Sequence, residues 1–326
     1  MKKTVLLRTL AIFTCGILLS CATVPEDAGF TDVKDIIDDR LNYRLHWNKG
    51  SQPDQEVTRA IDQLLASELT VDGAVQIALL NNPNLQATYE DLGVTQADVV
   101  EAGLLENPTL FGQARFPDGG DGSTNLEFGI AQNFLSLLML PARKQLAAIQ
   151  FEQKKLHVAD AVLQMASEVS RAYYTAVDAN TARDYQKQKA IAAENAFELA
   201  LRMKAAGNIS DLELAHHQAQ YEETRIDLAG YEEAVLKSRE KLTYLMGLWG
   251  ERTDWTLIDT LPGTPEQELP FDHLESIAIG NRLDLAAARK EVEAMAQALG
   301  ITVDWRWVGD IEVGISTERD TDRSWV

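Results

Sequence analysis

The sequence predicts a mainly α protein with a small β part: a long α-helical coiled-coil hairpin, plus a β-hairpin patterned as transmembrane strands that other copies of the chain must complete. Three observations predict it. Between Pro141 and Pro262 the 326-residue chain runs for about 120 positions without proline. That run folds back once, at Gly207. Before it, two alternating segments flank a glycine-rich turn. Residues 142–206 are about one quarter alanine, with Gln, Glu, Lys, Leu and Arg making up much of the rest, and these side chains lose little entropy in a helix. As one rod, about 65 residues would reach roughly 100 Å. An elongated molecule is expected, which excludes most enzyme folds.

The chain begins with Met1-Lys2-Lys3 and Arg8, an apolar stretch to Leu19, and then Leu18-Leu19-Ser20-Cys21. Residues 1–20 are expected to be a secretory signal, because a spanning helix needs about 20 apolar residues. Leu-Leu-Ser-Cys resembles the bacterial lipoprotein box, which makes Cys21 the candidate lipidation site; an uncleaved anchor is the alternative. Ala22 after it, rather than Asp, resembles lipoproteins sent to the outer membrane. Cys15 leaves with the signal, so disulfides, thiol catalysis and cysteine metal sites drop out. The formal charge of −20 makes nucleic acid an improbable partner. Residues 21–69 are read as a lipidated N-terminal arm.

Thr70 is placed to cap a helix, with Leu69 before it as a staple and Asp72 in the first turn. That helix is expected to reach about Leu105, bent at Pro83. Asn107-Pro108 stops it. Thr109 to Phe116 then alternates, with Leu110, Gly112, Ala114 and Phe116 on one face and Thr109, Gln113 and Arg115 among the other. After the turn 117–123, Asn125 to Phe134 sets Leu126, Phe128 and Ile130 against Asn125, Glu127, Gly129 and Asn133. Each strand is close to the roughly nine to eleven residues of a tilted transmembrane strand. An ordinary hairpin on a soluble core is the alternative. A lone hairpin cannot cross a bilayer with unpaired edges, so the lipid reading requires other copies. Arg115 and Glu127 are then candidate lumen-facing residues, with plain solvent exposure as the equal alternative.

In the long helix, Val158, Val162, Met165, Val169 and Tyr173 step by three or four, the spacing of a buried seam. Gly207 suits the left-handed residue past a helix end, and Lys204 favours the dipole there. Ser210 caps the next helix, with Glu213 completing a capping box and Asp211 in its first turn. The returning helix is expected to run from Asp211 to about Met246, where Gly247-Leu248-Trp249-Gly250 ends it. About half as long as its partner, it leaves room for the helix of residues 70–105 to pack end to end with it.

An internal repeat supports this layout. Ile77-Ala78-Leu79-Leu80-Asn81-Asn82-Pro83-Asn84-Leu85-Gln86-Ala87 recurs as Ile277-Ala278-Ile279-Gly280-Asn281-Arg282-Leu283-Asp284-Leu285-Ala286-Ala287. The first unit is assigned to 70–247, a linker to 248–272, and the start of a second unit to 273–326, with its alternating segment at Glu312-Val313-Gly314.

Taken together, these residues resemble the TolC-type outer-membrane efflux protein family, in its lipoprotein branch, from about Leu69 onward. The carriers are Leu69-Thr70-Val71-Asp72, Ala78-Leu79, Asn82-Pro83-Asn84-Leu85, Glu106-Asn107-Pro108, Arg202 with Ala206-Gly207, Ser210-x-Leu212 and Leu242-x-x-Leu245-Met246-Gly247-Leu248. Trp47 and the preceding segment resemble that branch's extended arm. The resemblance implies a homotrimer in the outer membrane of a Gram-negative bacterium, extending into the periplasm. Each protomer would give four strands to a twelve-strand barrel and helical hairpins to a periplasmic tunnel. A periplasmic adaptor and an inner-membrane pump are the implied partners. Ala206, Gly207, Asn208, Ile209, Ser210, Asp211 and Leu212 form the implied adaptor-docking tip, with simple helix capping as the other reading. Passive export of small molecules or ions is the implied function. Family members continue further, so the chain is expected to be truncated in its second repeat, with three strands, an open edge and no counterpart to the family's gate residues.

No catalytic constellation, cofactor motif or metal set stands out. His216 and His217 point about 100° apart on a helix and cannot share an ion. Gly119-Gly120-Asp121-Gly122 lacks the Lys-Ser/Thr of a phosphate loop. The rival function is a periplasmic coiled-coil lipoprotein acting as scaffold or adaptor without a pore.

Overall fold

The computed structural model describes residues 23–116, 124–258, 263, 272–309 and 311–319. The signal segment, Cys21, the turn 117–123 and most of the linker lie outside the described residues. The elements are α1 (Phe30–Asp38), α2 (Gln52–Leu65), α3 (Val71–Asn81), α4 (Pro83–Ala102), β1 (Thr109–Arg115), β2 (Asn125–Asn133), α5 (Phe134–Ala205), α6 (Asp211–Leu245), α7 (Leu274–Asn281), α8 (Leu283–Trp305) and β3 (Glu312–Arg319). The described residues are mainly helical with one small sheet. It divides into a unit of residues 1–30, 91–157 and 282–326, and a unit of residues 31–90 and 158–281.

The second of these units holds the larger apolar core. Thr70 caps α3 through its hydroxyl, which accepts from the Gly73 amide at 3.0 Å. Ala74, Val75, Ile77, Ala78 and Leu79 are all fully buried. Burying side chains of Val or Leu size contributes about 1.5–3 kcal/mol each. In the same unit α5 buries a seam of Val158, Val162, Ala166, Val169 and Tyr173. Ala166, not Met165, takes the third seam position; Met165 is half-buried. A small residue there lets the helices approach more closely than the longer thioether allows. The Tyr173 hydroxyl donates to the Leu69 carbonyl at 2.8 Å.

The helix expected across residues 70–105 is two helices, broken at Asn82. The Asn82 backbone is extended there (φ −64°, ψ 120°), as the residue before a proline prefers. Arg282, 200 positions on, breaks α7 from α8 with nearly the same dihedrals (φ −71°, ψ 118°). The repeat is therefore structural, at the level of single backbone angles. Its burial is not repeated. Ile77 is fully buried, whereas Ile277 is 55% exposed, because α3 packs under the end of α6 and no described residues form such a partner for α7.

The arm is not extended throughout. α1 and α2 are helical, and the extended part is the stretch between them, residues 41–49. It is held by two glutamine side chains. Gln76 on α3 accepts from the Arg44 amide at 3.0 Å and donates to the Arg44 carbonyl at 2.8 Å. Gln86 on α4 accepts from the Asn48 amide at 2.8 Å and donates to the His46 carbonyl at 2.9 Å. Each amide does what a neighbouring strand would do.

In the other unit, β1 and β2 pair antiparallel as expected, and β3 adds beside β2 in the order β1-β2-β3. α5 begins at Phe134, eight residues before the stretch read as helix, and carries Pro141 inside it. Asn133 explains the early start: its side chain accepts from the Ser136 amide at 3.0 Å, an N-cap. Proline removes one backbone donor, a loss confined here to one bond on a partly exposed turn.

Candidate functional site

Two surfaces carry the sequence-derived candidates, and each is built from local rules. The first is the sheet. Its register sets Leu110 opposite Ile130 and Ala114 opposite Leu126, with Ile315 opposite Ile130 on the other side. Alternation places Leu110, Gly112, Ala114, Leu126, Phe128, Ile130, Val313 and Ile315 on one face, with Gln132, Thr317 and Arg319 as its polar members towards the strand ends. Leu110 is 77% exposed and Ile315 79%. Water disfavours such a face strongly.

The opposite face is polar. Gln113 pairs with Glu127, which pairs with Glu318. Arg115 donates to Glu127 at 2.9 Å and lies 3.8 Å from Glu318. The structure thus brings the two candidate lumen residues together, along with Glu318, which the sequence reading missed. Glu318 sits four residues past the alternating Glu312-Val313-Gly314, so extending that alternation would have found it. Phe111 also lies on this face. It covers Gly129, where an added Cβ would meet its ring at 2.3 Å. Phe128 covers Gly112 likewise on the apolar face, at 3.2 Å. Each aromatic ring fills the gap left by a cross-strand glycine.

The second surface is the α5–α6 turn. Gly207 adopts φ 76°. Its amide donates to the Lys204 carbonyl and the Asn208 amide to the Met203 carbonyl, both at 2.9 Å, the pair of bonds that satisfies a helix end. Ser210 then caps α6. Its hydroxyl accepts from the Glu213 amide at 3.1 Å while its own amide donates to the Glu213 carboxylate at 2.8 Å. Those Ser210 bonds, backbone first, hold the Glu213 carboxyl below its ordinary range. Lys204 and Asp211 pair across the turn at 2.7 Å. Ala206, Gly207, Asn208, Ser210, Asp211 and Leu212 are exposed and Ile209 half-buried. Leu212, 81% exposed, is a large apolar side chain at the tip.

The hairpin seam behind that tip is partly polar. Gln186 and Thr224 are buried in it, with the Gln186 amide donating to the Thr224 carbonyl at 3.4 Å. Phe197 stacks on Tyr221 at 5.6 Å. His216 and His217 stand 6.1 Å apart between ring centroids, and among the described residues no group of three ligating side chains gathers. Cys21 lies outside the described residues. No described helix is long and apolar enough to cross a membrane.

Residues 74–248 match the family described as outer membrane efflux protein. The chain is 23% identical over 267 residues to the cobalt-zinc-cadmium resistance protein CzcC of Cupriavidus metallidurans, covering 79% of this chain and 60% of that one. Among solved structures, CusC, described in terms of transmembrane channel formation, superposes with a TM-score of 0.62 at 16% identity, covering 76% of this chain and 60% of its own. The CmeC outer membrane channel of Campylobacter jejuni gives 0.64 at 13% identity, covering 94% and 66%. The chain thus spans about 60% of the length of the curated relative it matches.

Proposed function

The chain belongs to the outer membrane efflux protein family, and from that premise we propose that it is a subunit of an export duct in the outer membrane of a Gram-negative cell. Three copies join their sheets into one barrel, with the polar faces inward and the apolar faces against lipid. Their helical hairpins continue as a tunnel in the periplasm. Cys21 carries a lipid anchor. The tip from Ala206 to Leu212 docks on a periplasmic adaptor, which couples the duct to an inner-membrane pump. Conduction is passive, and no residue performs chemistry.

One observation carries the reading: a sheet exposing Leu110 and Ile315 on one face and an Arg115–Glu127–Glu318 cluster on the other. Hydrocarbon tolerates such a sheet only once its edges are closed by more strands. A scaffold lipoprotein has no use for an apolar strand face. The similarity to a cobalt-zinc-cadmium resistance protein supports divalent cations as cargo, and the two carboxylates against one guanidinium on the inner face favour cations.

The test is conductance and particle mass of the full-length protein in planar lipid bilayers. Steady single-channel currents from a trimer are expected; a soluble monomer without current would overturn the duct. For the tip, Gly207→Trp or Asp211→Lys is expected to reduce cross-linking to the adaptor while insertion is retained. Unchanged cross-linking removes the tip from the docking surface.

A further inference from the structure

We propose that the groove between the end of α4 and the start of α5 binds a phospholipid with a zwitterionic primary-amine headgroup, phosphatidylethanolamine. The proposal rests on the outer-membrane reading above and names a lipid partner for the same molecule. The groove has a volume of about 710 Å³, within the roughly 300–1,000 Å³ of small-molecule sites. Leu104, Leu105, Leu146 and Ala147 supply its apolar wall, and Asp98, Glu101, Glu106 and Arg143 its charges.

Its position is set by the sheet. Glu106 on its rim accepts through its carbonyl from the Gln132 side chain at 2.9 Å, at the last positions of β2. The groove therefore opens where the exposed apolar strands begin. Leu105 on its wall is 57% exposed, Phe134 and Leu138 at the start of α5 are exposed, and Trp307, five residues before β3, is 85% exposed. Tryptophan settles at the level of lipid headgroups, and leucine and phenylalanine in the hydrocarbon below them.

Its charges select the headgroup. Arg143 donates to Glu106 at 3.2 Å and to the Ser136 carbonyl at 3.3 Å, and its Nε is buried without a hydrogen-bond partner. A guanidinium has five donors; these bonds use one on each Nη, and the side chain is 33% exposed, so the second hydrogens of the two Nη atoms remain for a phosphate oxygen. Glu106 pairs with this guanidinium, and Asp98 and Glu101 line the same groove, an excess of negative charge that calls for a cation. A primary ammonium supplies three donors to them, whereas a choline headgroup donates none and a glycerol headgroup carries no positive charge. The acyl chains lie along the leucines toward the strand face.

The experiment is native mass spectrometry of the full-length protein released from nanodiscs of phosphatidylethanolamine, phosphatidylcholine or phosphatidylglycerol. Retention of about one phosphatidylethanolamine per protomer is expected, at least tenfold over the other two lipids. The exposed-residue variant Asp98→Asn/Glu101→Gln is expected to lose that preference while inserting normally, as is Arg143→Gln. Equal retention of all three lipids, retention that disappears with EDTA, or an unchanged preference in both variants overturns the site. Failure to insert in any lipid overturns the duct reading itself, so the two failures are distinguishable.

Discussion

The side-chain amide of Asn82 donates to the carbonyl of Leu245 at 2.8 Å, joining residues 163 positions apart. The same side chain accepts from the Asn84 and Leu85 amides at 2.9 and 3.1 Å. Its neighbour Asn81 donates to the Met246 and Gly247 carbonyls at 3.0 and 2.8 Å. Two asparagines thus end one helix, start the next, and satisfy the last carbonyls of a third.

Asn82→Ala is expected to destabilise the protein by about 2–3 kcal/mol, since one cap is lost and a buried carbonyl loses its donor. Arg282→Ala, at the equivalent position of the second copy, is expected to cost under about 0.5 kcal/mol, as Arg282 is exposed. Urea unfolding followed by circular dichroism checks the contrast. Equal costs would mean that the Asn82 joint contributes nothing special.

Two glycines with left-handed backbones separate strain from crowding. Gly207 (φ 76°) has nothing within 4 Å of an added Cβ, whereas at Gly247 (φ 66°) that atom would lie 2.7 Å from the Asn81 carbonyl oxygen. Gly207→Ala is expected to cost about 1–2 kcal/mol from conformation alone. Gly247→Ala is expected to cost more than that, because backbone must move as well. The order of their unfolding midpoints is the measurement.

The glutamine clasp on the arm should be separable from the core. Gln76→Ala and Gln86→Ala are each expected to speed amide exchange at Arg44 and Asn48 respectively, by roughly tenfold for a bond of about 1 kcal/mol or more. Exchange in α3 should not change. Hydrogen exchange read by mass spectrometry resolves these segments.

The arm also carries an alkaline latch. Burial, and then the hydrogen bond from the Tyr43 hydroxyl to Asp72 at 2.7 Å, raise the Tyr43 phenol to about 12. A phenol raised from its ordinary value of 10.0 favours the folded arm fully below pH 10. That contribution is lost as pH climbs from 10 towards 12. The protection of residues 41–49, taken as intrinsic over observed exchange rate at each pH, is expected to fall over that window. In Tyr43→Phe that fall should be absent.

What the sequence determined by itself was whatever lies within about four residues along the chain. Thr70 with Gly73, Ser210 with Glu213, and Gly207 with Lys204 are contacts of this kind, and helix signals of that range are set by backbone chemistry alone. Strand alternation was equally legible, because side-chain direction has period two. Where a local signal was overlooked, as with Asn133 and Ser136 before Pro141, the information was present but overshadowed by the stronger breaker. The tertiary structure alone decided the rest. Nothing in a glutamine at position 76 or 86 announces a strand-like partner 32 or 38 residues away. Ala166 displaces Met165 from the seam only because a facing helix sets how much volume fits. Glu318 joins Arg115 only because β3 pairs with β2 in one register. Ile77 is buried and Ile277 exposed although both sit in the same repeat, since burial depends on what lies across the gap and not on the residue itself.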